Sequence, residues 1–166
     1  MKKKWYFWLF PILWMGIIFY SSAQPYEKQD IKPFFNKYID FSFLEPLVKH
    51  IEFTYHHSQV SVEALGINGF VEFFIRKGAH FTVYLILFLL FVVAFHKTTN
   101  IKKLQKVSLS LLFTVFYAIF DEIHQGWTPN RTPFYGDVII DTIGAIVGAG
   151  LFLLISNSLQ NRKKGM

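Results

Sequence analysis

Residues 116–148 read FYAIFDEIHQGWTPNRTPFYGDVIIDTIGAIVG, and this stretch decides how the chain folds. It predicts the end of one apolar helix, a short turn containing Thr, Pro and Asn, and the start of a second apolar helix. Charged and amide groups at or near membrane depth are energetically expensive, so a group of them predicts a functional site. The stretch holds Asp121, Glu122, His124, Gln125, Arg131, Asp137 and Asp141.

The composition around this stretch predicts one membrane domain. Of the 166 residues, 52% are hydrophobic and only 17% are charged, and the hydrophobic residues form long runs. The net charge of +6 comes from short Lys and Arg clusters that flank those runs, which is the pattern of a membrane protein and not of a nucleic-acid partner. The chain has no Cys, which excludes disulfides and thiolate chemistry.

The first apolar run, Trp5 to Ala23, is about 28 Å long as a helix, just enough to cross a bilayer. The basic residues before it and Ser21-Ser22-Ala23 at its end also resemble a signal peptide. Its aromatic residues and Pro11 would make a weak signal core, so the sequence favours a retained helix. Together with this run, the predicted membrane spans are residues 5–23, 78–95, 107–125 and 136–156.

Each later span has one informative feature. The second span can be the continuation of a helix that begins near Gly69. The third apolar run has only fourteen residues before its first charged residue, so residues 121–125 must lie within or at the edge of the membrane. Gly144 and Gly148 in the fourth have the spacing that lets another helix approach closely. That spacing predicts packing inside the chain first and a homo-oligomer second.

Residues 24–75 are mixed in polarity, rich in aromatics and interrupted by Pro25, Pro33 and Pro46. No run there is long enough to span, so they predict short amphipathic helices at the membrane interface. We assign a surface role to His50, His56 and His57 because no further ligand stands at a fixed spacing from them. The predicted fold is an all-α integral membrane protein with four transmembrane helices and an extracytoplasmic amphipathic-helical segment between the first and the second.

The basic residues predict the orientation. Three lie at the amino end, four in residues 96–106 and three in the carboxyl tail, so with four spans both chain ends are cytoplasmic in the cell membrane. The polar groups at the other ends of the spans then meet on the extracytoplasmic face. These groups are Ser21, Ser22 and Gln24, residues 76–84, residues 121–131 and residues 137–141.

The spacing of these residues on the predicted helices permits two kinds of site. Asp121, His124 and Gln125 share one face of the third helix, and Asp137 and Asp141 share one face of the fourth. Carboxylates near imidazoles can hold a divalent metal ion, which could bind a pyrophosphate or activate water. The candidate metal ligands are His80, Asp121, His124, Asp137 and Asp141, and the candidate catalytic residues are His80, Asp121, Glu122, His124 and Asp141.

The same carboxylates can instead pair with basic residues in a network that only locks the helices together. No known nucleophile motif or phosphate-binding glycine loop is present, so the case for an enzyme depends on the cluster alone. If the cluster binds a substrate, the candidate binding residues are Arg76, Lys77, His80, Tyr84, Gln125, Arg131, Asp137 and Asp141.

Several motifs together resemble the VanZ-like membrane proteins across nearly the whole chain except residues 25–70. They are Arg76-Lys77-Gly78-Ala79-His80-Phe81 with Tyr84, Asp121-Glu122-Ile123-His124-Gln125, Pro129, Arg131, Asp137 and Asp141 with Gly144, and Ser21-Ser22. The resemblance implies a retained first helix and a role in the cell envelope. It also implies a link to resistance against teicoplanin, a glycopeptide that acts outside the membrane on lipid-linked cell-wall precursors. It supplies no reaction.

Three hypotheses therefore stand for this protein of the lipid bilayer. In the first, the pocket binds a lipid-linked glycan or phosphate: Arg76, Lys77 and Arg131 contact phosphate, and the carboxylates contact sugar hydroxyls or a bridging metal. In the second, the cluster is a metal-assisted hydrolase or transferase with His80 or His124 as general base. In the third, the charges only lock the helices of an accessory subunit.

Overall fold

The computed structural model describes residues 4–129 and 131–164. Lys2, Lys3 and Asn130, which belong to the predicted basic cluster and turn, lie outside these residues. The elements are a 3₁₀ turn Trp5–Trp8, α1 Leu9–Ser22, α2 Tyr26–Gln29, α3 Lys32–Tyr38, a 3₁₀ turn Ser42–Leu44, α4 Glu45–Val48, β1 Phe53–Tyr55, β2 Ser58–Val60, α5 Val62–Thr98, α6 Lys103–Gln125 and α7 Tyr135–Lys164.

Four helices are long and apolar enough to cross a membrane, which confirms the predicted fold class. They are Trp5–Ser22, Val62–Thr98, Lys103–Gln125 and Tyr135–Arg162. Many of their large apolar side chains point away from the protein interior, including Leu13, Phe116 and Leu154, which are 63–70% exposed. Apolar surface of this kind on every helix suits a lipid environment.

The helix α5 lies at the centre of the bundle because it contributes to both apolar clusters of the core. In one cluster, its residues Tyr84, Leu87 and Phe91 pack between Ile18 of α1 and Tyr117 of α6. In the other cluster, its residues Phe88 and Val92 pack against Val107 of α6 and against Ala145 and Ala149 of α7.

The contact between α5 and α7 is close because α7 presents glycines to it. A Cβ atom built on Gly144 would lie 2.2 Å from the carbonyl oxygen of Phe81, and one on Gly148 would lie 3.0 Å from the Phe88 ring. The prediction that the small residues serve packing within the chain is confirmed.

The 3₁₀ turn Trp5–Trp8, the loop after α5 and the later turns of α7 lie at the same end of the bundle. The indole of Trp8 donates to the hydroxyl of Thr98 over 3.2 Å, and Lys103 donates to Asn157 over 2.5 Å. The polar residues that the sequence analysis selected lie at the opposite end, where α1 and α6 finish and α7 begins.

The helix α5 begins earlier than expected, at Val62 and not near Gly69. The hydroxyl of Ser61 accepts a hydrogen bond from the amide of Ala64 and caps the first turn. Gly66 then kinks the helix with a φ of 66°, a conformation that glycine adopts without strain. From residue 67, after the kink, to residue 98 the helix is about 48 Å long at 1.5 Å per residue, so its first turns extend beyond a bilayer core and support residues 23–61.

Residues 53–60 correct the prediction of helices alone between the first two spans. They form an antiparallel hairpin in which Phe53 pairs with Val60 and Tyr55 with Ser58. His56 and His57 make the turn, both with positive φ, 48° and 62°. A two-residue hairpin turn of this kind needs positive φ at both positions. The usual signal, Asn or Gly, is absent, which is why the sequence did not reveal the hairpin.

Candidate functional site

A cavity of about 620 Å³ lies at the end of the bundle opposite to Trp8 and the loop after α5. Residues from α1, α5, α6 and the start of α7, from the loop before α7 and from the segment between α1 and α5 line it. Nine of the residues predicted for the site contribute to its wall: Arg76, Lys77, His80, Tyr84, Asp121, Glu122, Gln125, Arg131 and Asp137. The folded chain therefore brings together residues that are more than sixty positions apart in the sequence.

Asp121 joins three helices in this wall. Its side chain is buried, and Oδ2 accepts hydrogen bonds from Ser22 of α1 at 2.8 Å, Tyr84 of α5 at 3.1 Å and Gln125 of α6 at 3.3 Å. Among the described residues, Oδ1 has no hydrogen-bond partner. Asp121 is thus a buried carboxylate held by neutral donors, without a basic residue at ion-pair distance in the described chain.

Asp137 connects the hairpin to the bundle. Its Oδ1 accepts hydrogen bonds from Tyr55 and from Lys77, each at 2.5 Å, and the Lys77 ammonium lies 4.5 Å from the centre of the Tyr55 ring. Burial, and after it the hydrogen bond to Asp137, raise the pKa of Tyr55. Tyr55 therefore stays a hydrogen-bond donor, and the hairpin stays attached beside the cavity.

Two guanidinium groups approach Gln29 from different elements. Arg76 of α5 donates to Glu72 Oε1 at 2.9 and 3.0 Å and to the Gln29 carbonyl at 2.6 Å. Arg131 donates to Gln125 Oε1 at 2.8 Å and to the side-chain oxygen of the same Gln29.

The partners of Arg131 are neutral amides. No carboxylate of the described residues lies within ion-pair distance of its guanidinium. Burial, and after it the positive charge of Arg76, lower the pKa of Arg131, although a guanidinium remains charged in proteins. The cavity therefore contains a half-buried positive charge whose contacts are with uncharged groups.

His80 and Asp141 form a pair between α5 and α7. The imidazole Nδ1 lies 3.2 Å from Asp141 Oδ1. The Asp141 side chain is 2% exposed and lies behind the cavity wall, whereas the His80 side chain is 26% exposed and lines the cavity. Glu122, the next carboxylate in the wall, accepts a 2.6 Å hydrogen bond from the amide of Phe134 and fixes the loop before α7.

The predicted metal ligands do not converge. Throughout residues 4–129 and 131–164, no three His, Asp or Glu side chains form a group that could hold a metal ion. Asp137 accepts a hydrogen bond from Lys77, Asp141 lies at hydrogen-bond distance from His80, and Asp121 accepts hydrogen bonds from neutral donors. The cavity wall therefore contains cations and carboxylates side by side: Lys32, Arg76, Lys77 and Arg131 on the one hand, and Glu72, Asp121, Glu122 and Asp137 on the other.

Comparison with known proteins identifies the family of the chain. The family model described as VanZ/LLP1 matches residues 7–156. The chain belongs to the VanZ/LLP1 family. No curated protein and no solved structure matches it. The matched range contains all the residues of the site and most of each membrane-spanning helix.

In this VanZ/LLP1 protein, His124 lies outside the cavity, contrary to its assignment from the sequence. Its ring stacks on Phe19 with centroids 3.9 Å apart, lies parallel to Phe120, and meets the edge of Trp127. The flanking aromatics Phe120 and Trp127, one turn before and after His124, are the signal that could have indicated this contact. Nδ1 is buried and has no partner among the described residues.

We expect His124→Phe to leave ligand binding unchanged and to keep or slightly raise the melting temperature. The substitution retains the stack on Phe19 and removes a buried nitrogen without a partner, so the change in free energy of unfolding should stay within about 1 kcal/mol. Thermal unfolding in detergent and a ligand titration on the same preparation measure both quantities. A loss of ligand binding at an unchanged melting temperature would contradict this prediction and would mean that His124 belongs to the binding site.

Sequence reasoning missed three residues that build the site of this VanZ/LLP1 protein. Glu72 is 2% exposed and holds Arg76, and its spacing of four residues from Arg76 on a helix was the available signal. Gln29 receives both guanidinium groups, and Tyr55 binds Asp137. Nothing in the local sequence around Gln29 or Tyr55 indicates these contacts, because they arise from the folding of the segment between α1 and α5 onto the bundle.

Proposed function

We propose that this protein binds the phosphate-bearing head of a lipid-linked envelope component in the cavity. The observation that carries the proposal is the convergence of Arg76 and Arg131 on Gln29, with Arg131 hydrogen-bonded to amide oxygens and beyond ion-pair distance of every carboxylate among the described residues. Phosphate oxygens form charge-assisted, often bidentate hydrogen bonds with guanidinium groups. Such bonds are stronger than those to the amide oxygens of Gln125 and Gln29, so phosphate can replace the amides.

Two further features of the arginines support the same role. Glu72 is buried and fixes the guanidinium of Arg76 in one orientation, which lowers the entropy that a ligand must remove. An anion beside Arg131 would also offset the repulsion between the two guanidinium groups that lowers the pKa of Arg131. The site is therefore preorganised for a negative charge.

The apolar part of the cavity wall supports a lipid-linked ligand. Trp14, Ile17, Ile18 and Val83 line the same cavity as the arginines. Ile17 is 55% exposed on the membrane-spanning α1, so the wall continues to the lipid-facing surface. A ligand with a charged head and a hydrocarbon tail can contact both parts, and the cavity volume is typical of small-molecule sites.

We place the cavity at the extracytoplasmic face. The 3₁₀ turn before α1, the loop after α5 and the later turns of α7 share the other end of the bundle, and the lysines of that side would be cytoplasmic by the distribution of basic residues. In this orientation the cavity meets the outer leaflet, where lipid-linked cell-wall precursors are exposed. Protection against teicoplanin, which acts on such precursors, is then a cellular effect of the same site.

A structural role for the charges is the second candidate, and two ion pairs favour it. Lys77 with Asp137 joins α5 to α7, and Arg76 with Glu72 links two positions one turn apart within α5, both without any ligand. Arg131 distinguishes the candidates, because it forms no ion pair within the described chain. Under a purely structural role, its replacement would alter stability without any binding to lose.

We expect Arg131→Gln to weaken binding of a short-chain prenyl diphosphate at least about tenfold, since one hydrogen bond to a charged group contributes about 1.5–3 kcal/mol. Titration of the purified protein in lipid nanodiscs measures the dissociation constant. Arg162→Gln is the matched control, because Arg162 is exposed near the opposite end of α7.

No saturable binding by the wild type, or equal binding by Arg131→Gln and Arg162→Gln, would contradict the proposal. Melting temperatures of all three proteins separate loss of the site from loss of the fold. In a teicoplanin-sensitive Gram-positive host, the same set at matched membrane levels gives the cellular readout, in which Arg162→Gln should keep any protection that Arg131→Gln loses.

A further inference from the structure

We infer that His80, positioned by Asp141, is a general base that hydrolyses the phosphoanhydride bond of a lipid-linked diphosphate. The inference rests on the proposed function and deepens it, because binding through the arginines leaves this pair without a role. His80 lines the cavity, and its Nδ1 lies 3.2 Å from Asp141 Oδ1. The substrate class is a monoester of diphosphate that carries an apolar chain.

The geometry of the pair fixes the state of the imidazole. Asp141 is almost fully buried, and its Oδ1 lies at hydrogen-bond distance from Nδ1 of His80, so an ionised Asp141 carboxylate would accept the Nδ1 proton. In the neutral ring the lone pair is then on Nε2, the nitrogen that Asp141 leaves available. A carboxylate that holds one imidazole nitrogen keeps the ring in the tautomer and orientation that general-base catalysis requires.

The spacing on α5 selects a diphosphate. Arg76 and His80 are four residues apart and both line the cavity, so their side chains leave the helix about one turn, or about 6 Å along its axis, apart. A phosphoryl group bound by Arg76 and Arg131 leaves a second, directly bonded phosphoryl group within reach of the next turn, where His80 stands. A monophosphate has a single phosphoryl group and cannot use both positions.

The reaction balances with water as the only co-reactant. A water oxygen forms a bond to the phosphorus beside His80 while Nε2 takes one of its protons. The bridging P–O bond breaks, and its electron pair remains on the departing phosphate. Arg76 and Arg131 stabilise the charge that develops on the phosphate oxygens. The products are the lipid monophosphate and inorganic phosphate, and the proton passes from His80 to solvent.

The alternative is that this pair only holds α5 against α7 and takes part in no reaction. A purely structural contact predicts that the loss of either partner changes the stability of the protein and has no separate effect on turnover. A positioning role for Asp141 predicts a different result, because Asp141→Asn would favour the wrong tautomer of His80 while preserving the shape of the side chain. The rate constant kcat would then fall, and KM would stay close to that of the wild type.

The test uses the full chain in lipid nanodiscs with farnesyl diphosphate as the probe, with and without Mg²⁺, and measures release of inorganic phosphate. We expect His80→Gln to lower kcat at least about 100-fold with unchanged binding, the usual contribution of a general base. We expect Asp141→Asn to lower kcat without a comparable change in KM. His96→Gln is the matched control, because His96 is an exposed histidine at the other end of the same helix and should turn over like the wild type.

Each outcome decides a claim. Farnesyl diphosphate that binds to the wild type but is not hydrolysed overturns the catalytic inference and leaves the proposed function standing. Absence of binding overturns both. Equal turnover by His80→Gln and the wild type assigns the activity to another group or to a contaminant and overturns the role of His80. Free inorganic pyrophosphate, assayed in parallel, should be a much poorer substrate, and equal hydrolysis of it would contradict the lipid-linked substrate class.

Discussion

Gly144→Val should abolish the folded protein, with a loss of more than about 3 kcal/mol in the free energy of unfolding. Even a single Cβ atom at this position would lie 2.2 Å from the carbonyl oxygen of Phe81 and 3.0 Å from its carbonyl carbon. These are backbone atoms inside α5, so no change of side-chain rotamer relieves the clash, and α7 must move away from α5. Fluorescence-detected size exclusion and thermal unfolding in detergent measure the result.

Gly150→Val is the matched control for this substitution. Gly150 lies on the same helix, is exposed, and has no atom within 4 Å of its built Cβ. We expect this variant to fold with a melting temperature close to that of the wild type, since β-branched residues are readily accommodated on a lipid-facing helix surface. Equal behaviour of the two variants would show that α5 and α7 do not meet along this glycine face.

Glu72→Ala should be the most damaging change among the site carboxylates, at about 3 kcal/mol or more, because it removes one partner of a buried ion pair. The Glu72 carboxylate accepts two hydrogen bonds from Arg76 and one, at 3.2 Å, from the amide of Ile31. Without it, Arg76 loses its anionic partner and the chain after α2 loses an attachment to α5. Ligand binding should weaken together with stability.

Glu63→Ala provides the comparison on the same helix, because Glu63 is exposed in the first turn of α5. Its loss should change the melting temperature only slightly. Chemical unfolding in detergent, followed by tryptophan fluorescence, gives the two stabilities. A Glu72→Ala protein as stable as Glu63→Ala would mean that the Arg76 pair adds nothing to the fold, and that Arg76 does not need this carboxylate for its orientation.

Much of the fold follows from patterns that are local in the sequence. Apolar run lengths located the four membrane-spanning helices, and the spacing of Gly144 and Gly148 indicated the close helix pair. The hairpin at residues 53–60 did not follow, because His56 and His57 occupy the left-handed region without the glycine or asparagine that usually marks such a turn.

The sequence predicts which residues belong to the site better than it predicts which of them contact each other. The candidate binding residues Arg76, His80 and Tyr84 stand four residues apart, on one face of α5, and all three line the cavity. The same reasoning grouped His124 with Asp121, whereas packing on Phe19 takes the ring away from the cavity. Which carboxylate meets which cation depends on the positions of neighbouring helices, and a one-dimensional pattern does not contain that information.

The most direct test of the account is a crystal structure of the protein with a methylene-bridged prenyl diphosphate, which cannot be hydrolysed at the bridge. We expect one phosphoryl group within hydrogen-bond distance of Arg76 and Arg131, in place of the amide contacts of Arg131 with Gln29 and Gln125. The second phosphoryl group should lie beside His80, and the prenyl chain should follow Ile17 and Val83. An empty cavity in crystals where the ligand occupies another surface would contradict the central claim that this cavity is a site for a lipid-linked phosphate.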